Sequence, residues 1–487
     1  MQDLRTVAAT PAMQNPGWFG KLIAVLQGDA LIGGITALGI IIGFVHGWLK
    51  LRYASPIVTF LFDLVLLLAL GLAYVRKPAR EPFFPRGRLG TALMAFYAVC
   101  VFYAVVPFGP PLLLSVAALR GWCFATLMYG LGYNVTRTVT QVKAYFYLLV
   151  ILGVLTGLYG VRQSPEEVAL KMSQDDYFAA RLQGTYYGVQ GGQAQLRKFS
   201  TFVTAGVFGS VMAYVICFTL ILLTEDKVGR TEQALLAAAI LPMAYGMILS
   251  GSRSPLITMF IGLAVIIWYR RRITKLVAMP IVLYFAYKWG VAYTGGAATE
   301  RFGTLLDTGT VTGRLMMPVL SAWYDFQANP LVGGLGRSGY SVPFILASKV
   351  HYTGIIPGEG DLPCLIIEMG TLGLVLFINL LYCALRDVYQ ALKELRQTSL
   401  STIALASAVC VVLAVVAFPI GSPFLSIPTG ALTWFFLGTL QKLADQYRNH
   451  AFGSELPPPT PALPQKRFLH RTGSGLSQGT KRVPKQL

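Results

Sequence analysis

The chain has 487 residues, 55% hydrophobic and only 13% charged, with a formal net charge of +19. That balance excludes a soluble domain built around one core and describes a polytopic membrane protein. The positive charge is spread over many short segments with no single basic domain, which argues against nucleic acid as a partner.

In chain order, residues 1–28 are polar and broken by Gly and Pro, and read as a cytoplasmic N-terminal segment with Trp18 and Phe19 at headgroup level. No cleavable signal peptide is expected, since the first apolar run is long enough to remain as an anchor. Runs of about twenty apolar residues cross a hydrocarbon layer of about 30 Å as helices. They fall near 31–49, 56–74, 89–108, 111–133, 144–161, 199–223, 233–250, 255–269, 275–293, 362–384, 401–421 and 427–441. None alternates as a barrel strand does, so the expected fold is all-α with about 12 transmembrane helices. The transmembrane domain spans 29–445 and carries extracytoplasmic loops at 162–198 and 295–361, the second between helices 9 and 10. The tail 446–487 is basic and proline-rich, and reads as disordered and cytoplasmic.

Orientation follows from the 40 Lys and Arg residues. Most lie on the side that holds both termini, with clusters at Arg76–Arg88 and at Arg270, Arg271 and Arg272. The positive-inside bias therefore places both termini in the cytoplasm. All six cysteines fall in apolar spans and read as packing residues. Arg120 and Glu368 also lie inside spans, where an ionised group is costly and is expected to be paired or functional. Each is a candidate partner for the other.

Cations collect at the opposite, outer face. Arg197-Lys198-Phe199-Ser200-Thr201-Phe202 enters the sixth span, and Gly251-Ser252-Arg253-Ser254-Pro255 is a tight turn opening the eighth. A guanidinium beside a helix N-terminus is a ready phosphate site. The plainer reading of both is an arginine snorkelling to the headgroups. The long loop holds Arg301, Arg314, Trp323, the turn Asn329-Pro330-Leu331-Val332-Gly333-Gly334-Leu335-Gly336, Arg337, His351 and Glu359-Gly360-Asp361. Its two carboxylates are candidates for a general base or for metal ligands, or simply complement a helix N-terminus. His351 is a candidate of the same kind or a surface residue. No P-loop, GxSxG, HExxH or clustered metal spacing occurs, so no cofactor or metal is expected.

Over roughly residues 190–385 the order of these pieces, ending in Glu368-Met369-Gly370-Thr371-Leu372-Gly373, resembles the O-antigen ligase / O-antigen polymerase superfamily of bacterial membrane glycosyltransferases. The resemblance implies a GT-C-like enzyme of the bacterial inner membrane. It would transfer a glycan, with inversion, from an undecaprenyl-diphosphate carrier to a glycan acceptor, among membrane lipids and other polysaccharide assembly proteins. It implies Arg197, Arg253 and Arg314 as diphosphate contacts, with Arg337 as a second-line contact. Ligases of the family usually carry His-Asn about eleven residues before the Glu-x-Gly; here Glu359-Gly360 stands there. The base is then Glu359 or Asp361, or His351 reaching in from upstream, and a polymerase is favoured over a ligase. The competing class is a transporter or flippase for a polyprenyl-linked or anionic solute. A scaffold in an export complex is a third, whose mark would be tolerance of change at the outer arginines.

Overall fold

The computed structural model describes residues 30–77, 82–106, 110–182, 187–190, 193–225, 228–271, 333–339, 341 and 360–449, with isolated positions between 284 and 327. The first five helices are α1 (Ala30–Arg52), α2 (Pro56–Arg76), α3 (Arg88–Val105), α4 (Leu112–Val135) and α5 (Val139–Arg162). Two short helices, α6 (Pro165–Gln174) and α7 (Asp176–Leu182), precede a hairpin of β1 (Tyr187–Gln190) and β2 (Gln193–Leu196). Then come α8 (Ala205–Leu223), α9 (Arg230–Leu249), α10 (Arg253–Arg270), α11 (Asp361–Glu394), α12 (Ser401–Ala417) and α13 (Thr429–Arg448). The hairpin is antiparallel, with Tyr187 opposite Leu196.

Among the described residues nine helices, α1 to α5 and α8 to α11, are long and apolar enough to cross a membrane. The described membrane-crossing segments are thus all helical, and the protein is a multi-pass membrane protein. In hydrocarbon a backbone can satisfy its own polar groups only as a helix or a closed barrel, which is why these runs fold as they do. Exposed apolar side chains line their outward faces; on α2, Ile57 is 70% and Val75 79% exposed, while Phe62 and Asp63 of the same helix are buried. Of the expected spans, 275–293 lies largely outside the described residues. The last two correspond to α12, a shorter apolar helix, and to the more polar α13.

Helix α8 is the most enclosed, packed by α5, α9, α10 and α12. The tightest contact joins α4 to α13. A Cβ on Gly132 would lie 2.1 Å from the Phe435 carbonyl oxygen, and one on Gly438 would lie 2.0 Å from that of Tyr129. Small residues let two backbones approach this closely where no hydrophobic force drives helices together. Thr136 and Thr439 then exchange a hydroxyl hydrogen bond of 3.0 Å across the same contact.

Two expected boundaries move. The sixth span does not begin at residue 199: Ser200 takes a left-handed φ of 53°, and Thr204 caps the helix that starts at Ala205 by accepting from the Val207 N–H. The run 401–421 stops being helical at Ala417, and 418–428 continues as turns before α13. Irregular backbone beside membrane helices is tolerated where it is buried in protein or lines a cavity, and both segments do so.

Gly438→Ala should cost about 1–3 kcal/mol through overpacking, read as a lower melting temperature in detergent. Gly71 has nothing within 4 Å of where a Cβ would sit. Gly71→Ala should instead be neutral or stabilising by up to ~1 kcal/mol. Equal melting of the two variants would show that the α4–α13 contact is looser than described.

Candidate anion-binding site

The segment after β2 is a built node, not a loose entry into a helix. The Phe199 and Ser200 N–H groups donate to Gln163 Oε1 at 3.1 and 3.2 Å, and Ser200 Oγ donates to the Thr156 carbonyl at 2.6 Å, both partners lying at the end of α5. Thr201 Oγ1 donates to the Phe44 carbonyl at 2.6 Å, and the Trp48 N–H donates to the Thr201 carbonyl at 2.6 Å. The Phe202 ring sits against Phe44 and Phe208, with centroids 5.8 and 5.9 Å away. The backbone of α1 passes so near that a Cβ on Gly47 would lie 2.3 Å from the Phe202 carbonyl carbon. Lys198, Phe199, Ser200 and Phe202 are all buried, so simple anchoring at an interface does not describe this motif.

The second motif meets the first. Gly251, with φ of 60°, turns the chain from α9 into α10. Arg197 Nε donates to the Ser250 carbonyl at 3.0 Å and its terminal nitrogen donates to Ser252 Oγ, while the Lys198 N–H donates to the Leu249 carbonyl at 3.2 Å. Arg253 is the first residue of α10. Both arginines then line one cavity of about 200 Å³. Ser210, Ser252, Ser254 and Ser426 add hydroxyls, and Val207, Leu413 and Ala417 close the apolar side between α8, α10 and α12.

Three helices, α8, α10 and α13, begin at this cavity: Thr204, Ser252 and Thr429, at their first turns, all line it. Helix N-termini carry partial positive charge and unsatisfied N–H groups. Two guanidinium groups, three helix starts and several hydroxyls give this cavity a chemistry suited to an anion. It is smaller than the roughly 300–1,000 Å³ of pockets that enclose a whole drug-sized ligand. A charged headgroup fits it better than an entire glycan.

The other motifs form the frame. Glu368, fully buried on α11, accepts from Trp122 Nε1 at 2.7 Å, from Ser341 Oγ at 2.6 Å and from Ser338 Oγ. The Gly334 N–H donates to the Glu368 carbonyl at 2.7 Å, and a Cβ on Gly333 would lie 2.2 Å from that same oxygen. Only glycine permits that approach. Directly afterwards Gly370, at φ of 57°, kinks α11. The turn carrying Arg337 is therefore clamped to α11, and Arg337 itself is partly buried. It does not line the cavity.

Two readings from the sequence are corrected. Arg120 is not the partner of Glu368: its Nε binds Asp63 Oδ2 of α2 at 2.7 Å. Trp122 takes that place because residues two apart on a helix point about 200° from one another. Asp361 does not stand in a loop as an accessible base. It is fully buried as the first residue of α11, and its Oδ2 accepts the Phe424 N–H at 2.7 Å. It thereby holds the 421–424 stretch, which contributes Gly421, Ser422 and Pro423 to the cavity wall. Arg314, His351 and Glu359 lie outside the described residues. Asp63, Gln163 and Ser426 were missed in the sequence. A lone carboxylate in an apolar span was a signal for Asp63, whereas nothing local distinguishes the other two.

No described protein family matches the chain, and no curated protein is similar to it.

Two outcomes follow from this geometry. Glu368→Ala should orphan three buried donors at about 1–3 kcal/mol each before relaxation. It should speed proteolysis in the 333–339 turn, which Glu368→Gln should do less; cleavage at the wild-type rate in both would remove the clamp. Burial holds the Lys198 ammonium down to about 8, against the pull of Glu166 and Glu167. Because an unfolded lysine titrates near ~10.4, the unfolded chain binds more protons between about pH 8 and 10, and stability rises with pH across that window. Lys198→Met should flatten this rise in melting temperature. An unchanged slope would assign it to another group.

Proposed function

We propose that the protein transfers a glycan from a polyprenyl-diphosphate carrier to a sugar hydroxyl at the extracytoplasmic face of a bacterial inner membrane, in surface polysaccharide synthesis, and as a polymerase in preference to a ligase. The observation that carries this reading is the meeting of Arg197 and Arg253, 56 residues apart by their numbers, in one anion-suited cavity at convergent helix starts. The resemblance of the 190–385 region to O-antigen ligases and polymerases agrees with it.

In this reading the acceptor hydroxyl attacks the anomeric carbon while the bond to the diphosphate oxygen breaks. The leaving diphosphate gains charge, and fixed guanidinium groups and helix N–H groups stabilise that charge without reorganising. Arg197 is held by Ser250 and Ser252 before any ligand arrives. Arg314 is a third contact, and the acceptor proton goes to Glu359, with His351 as the alternative base. Asp361 acts indirectly, as a positioning residue for the 421–424 wall.

Arg253→Ala should lower polymer yield by about 100-fold or more, with the protein made at its normal level, and Arg253→Lys should recover only part of it. The assay is a deletion strain complemented with each variant, its surface polysaccharide resolved on a gel. Collapse of long chains to single repeats supports the polymerase. Normal chains left on the carrier indicate ligation, and repeats that never reach the outer face indicate a transporter. Full-length polymer from Arg253→Ala overturns the assignment.

A further inference from the structure

The end of α10 away from the cavity carries a cationic group that the proposed reaction does not use. Arg253 begins this helix and Arg270 closes it. At about 1.5 Å per residue the two stand roughly 25 Å apart along its axis. That is close to the thickness of a hydrocarbon layer, so Arg270 sits near the other membrane face. Two side chains mark the same level. Trp268 on α10 and Tyr389 on α11 are each 61% exposed, and exposed Trp and Tyr collect at headgroup depth.

Three elements meet there. The Tyr269 hydroxyl donates to the Leu392 carbonyl of α11 at 3.4 Å. Arg270 turns towards α12, and its terminal nitrogens donate to Thr402 Oγ1 at 2.8 Å and to Ser401 Oγ at 3.4 Å. Arg396, just past the end of α11, places its guanidinium carbon 5.8 Å from the centre of the Tyr269 ring. The guanidinium carbon of Arg270 lies 6.0 Å from the same centre. Two cations are thus gathered on one ring. Arg271, the next residue, is exposed and has no side-chain hydrogen bond or ring contact among the described residues.

Among the described residues neither Arg270 nor Arg396 forms an ion pair with a carboxylate. Glu225 is within electrostatic reach of Arg270 but is paired with Lys143, and Glu394, near Arg396 in the chain, is taken by Arg448 at 2.9 Å. The C-terminal ends of α10 and α11 offset part of the charge, about half an elementary charge each, while the first turn of α12, which Arg270 faces, is itself partially positive. The Ser401 and Thr402 hydroxyls are neutral, and Arg270 Nε is buried with no partner. An arginine that only anchors its helix reaches out to the bulk headgroups. Arg270 is half-buried and held inward instead. A fixed guanidinium beside an exposed one is the arrangement that a phosphate takes up. At headgroup depth that phosphate belongs to a lipid.

We propose that Arg270 and Arg396 hold the phosphate of one anionic phospholipid where α10 and α11 end and α12 starts, at the membrane face opposite the Arg197–Arg253 cavity. The site is separate from the glycan transfer proposed above and stands or falls independently of it. A lipid bound there braces α10 against α12, whose other ends flank the cavity.

The full chain, purified in a neutral detergent, is titrated with phosphatidylglycerol and separately with phosphatidylcholine, and retained lipid is counted by native mass spectrometry. Wild type should retain one phosphatidylglycerol and no phosphatidylcholine. Arg396 is exposed, so Arg396→Gln leaves the packing intact. It should weaken retention about 10-fold, as the loss of one charge-assisted hydrogen bond does. Arg270→Gln should do the same, and its melting temperature is checked because it also loses the ties to Ser401 and Thr402. Arg271→Gln removes the same charge from the adjacent residue and should leave retention unchanged. An equal loss in Arg271→Gln would assign the effect to bulk charge and overturn the site. Equal retention of phosphatidylcholine would reduce it to an apolar lipid contact, and a wild type that retains neither lipid would remove it altogether. If inorganic phosphate displaces the phosphatidylglycerol before the count, the ligand is a free anion and the lipid assignment fails.

Discussion

The cavity depends on the guanidinium of Arg197. It donates to the Ser250 carbonyl and to Ser252 Oγ, and so ties the turn before α8 to the turn before α10. Each turn contains a residue at positive φ: Gly251 adopts it freely, whereas Ser200 keeps it only because its surroundings enforce it. Gln163, Thr156, Phe44 and the Leu249 carbonyl supply that enforcement. A cation used in this way does two jobs: it fixes the wall, and it contributes positive potential to the space that the wall encloses.

A second constraint acts on the opposite wall and is met by carboxylates instead. Asp361 holds the Phe424 N–H, and Glu368 gathers Trp122, Ser338 and Ser341. Both are fully buried, so neither has water as an alternative partner. Removing a partner from such a group costs more than the hydrogen bond is worth, since the stranded group keeps its full desolvation penalty. The irregular residues 333–339 and 341 and the segment 418–428 are thereby fixed to the helices beside them. Acidic groups organise the scaffold, and basic groups are left facing the spaces.

The helices themselves are held by a different device. The apolar surface that drives folding in water has no such role against lipid, so close packing of small residues takes over, as between Gly132 and Gly438. That contact fixes α13 against α4, and the start of α13 supplies Thr429 to the cavity. Packing far from the site thus sets one of its walls.

Much of this was legible from the sequence. Runs such as Leu64–Leu68 and Val211–Leu222 can only be helices at membrane depth, because hydrocarbon offers no other partner to the backbone. The arginines at 197 and 253 stood out as guanidinium groups beside helix starts, although each taken alone read more plainly as an arginine snorkelling to the headgroups. What the sequence could not supply was direction and pairing. Arg120 and Trp122 are two residues apart, and only the rotation of α4 decides that the first meets Asp63 and the second meets Glu368. Asp361 read as a loop residue because nothing local shows that Phe424 waits across the fold. By itself, the sequence determined the membrane helices and the cations at their ends, since these follow from transfer free energies that act residue by residue. Only the tertiary structure decided which cations share a space and which carboxylates hold its walls, because those contacts join residues far apart in the chain and exist only once the helices have packed.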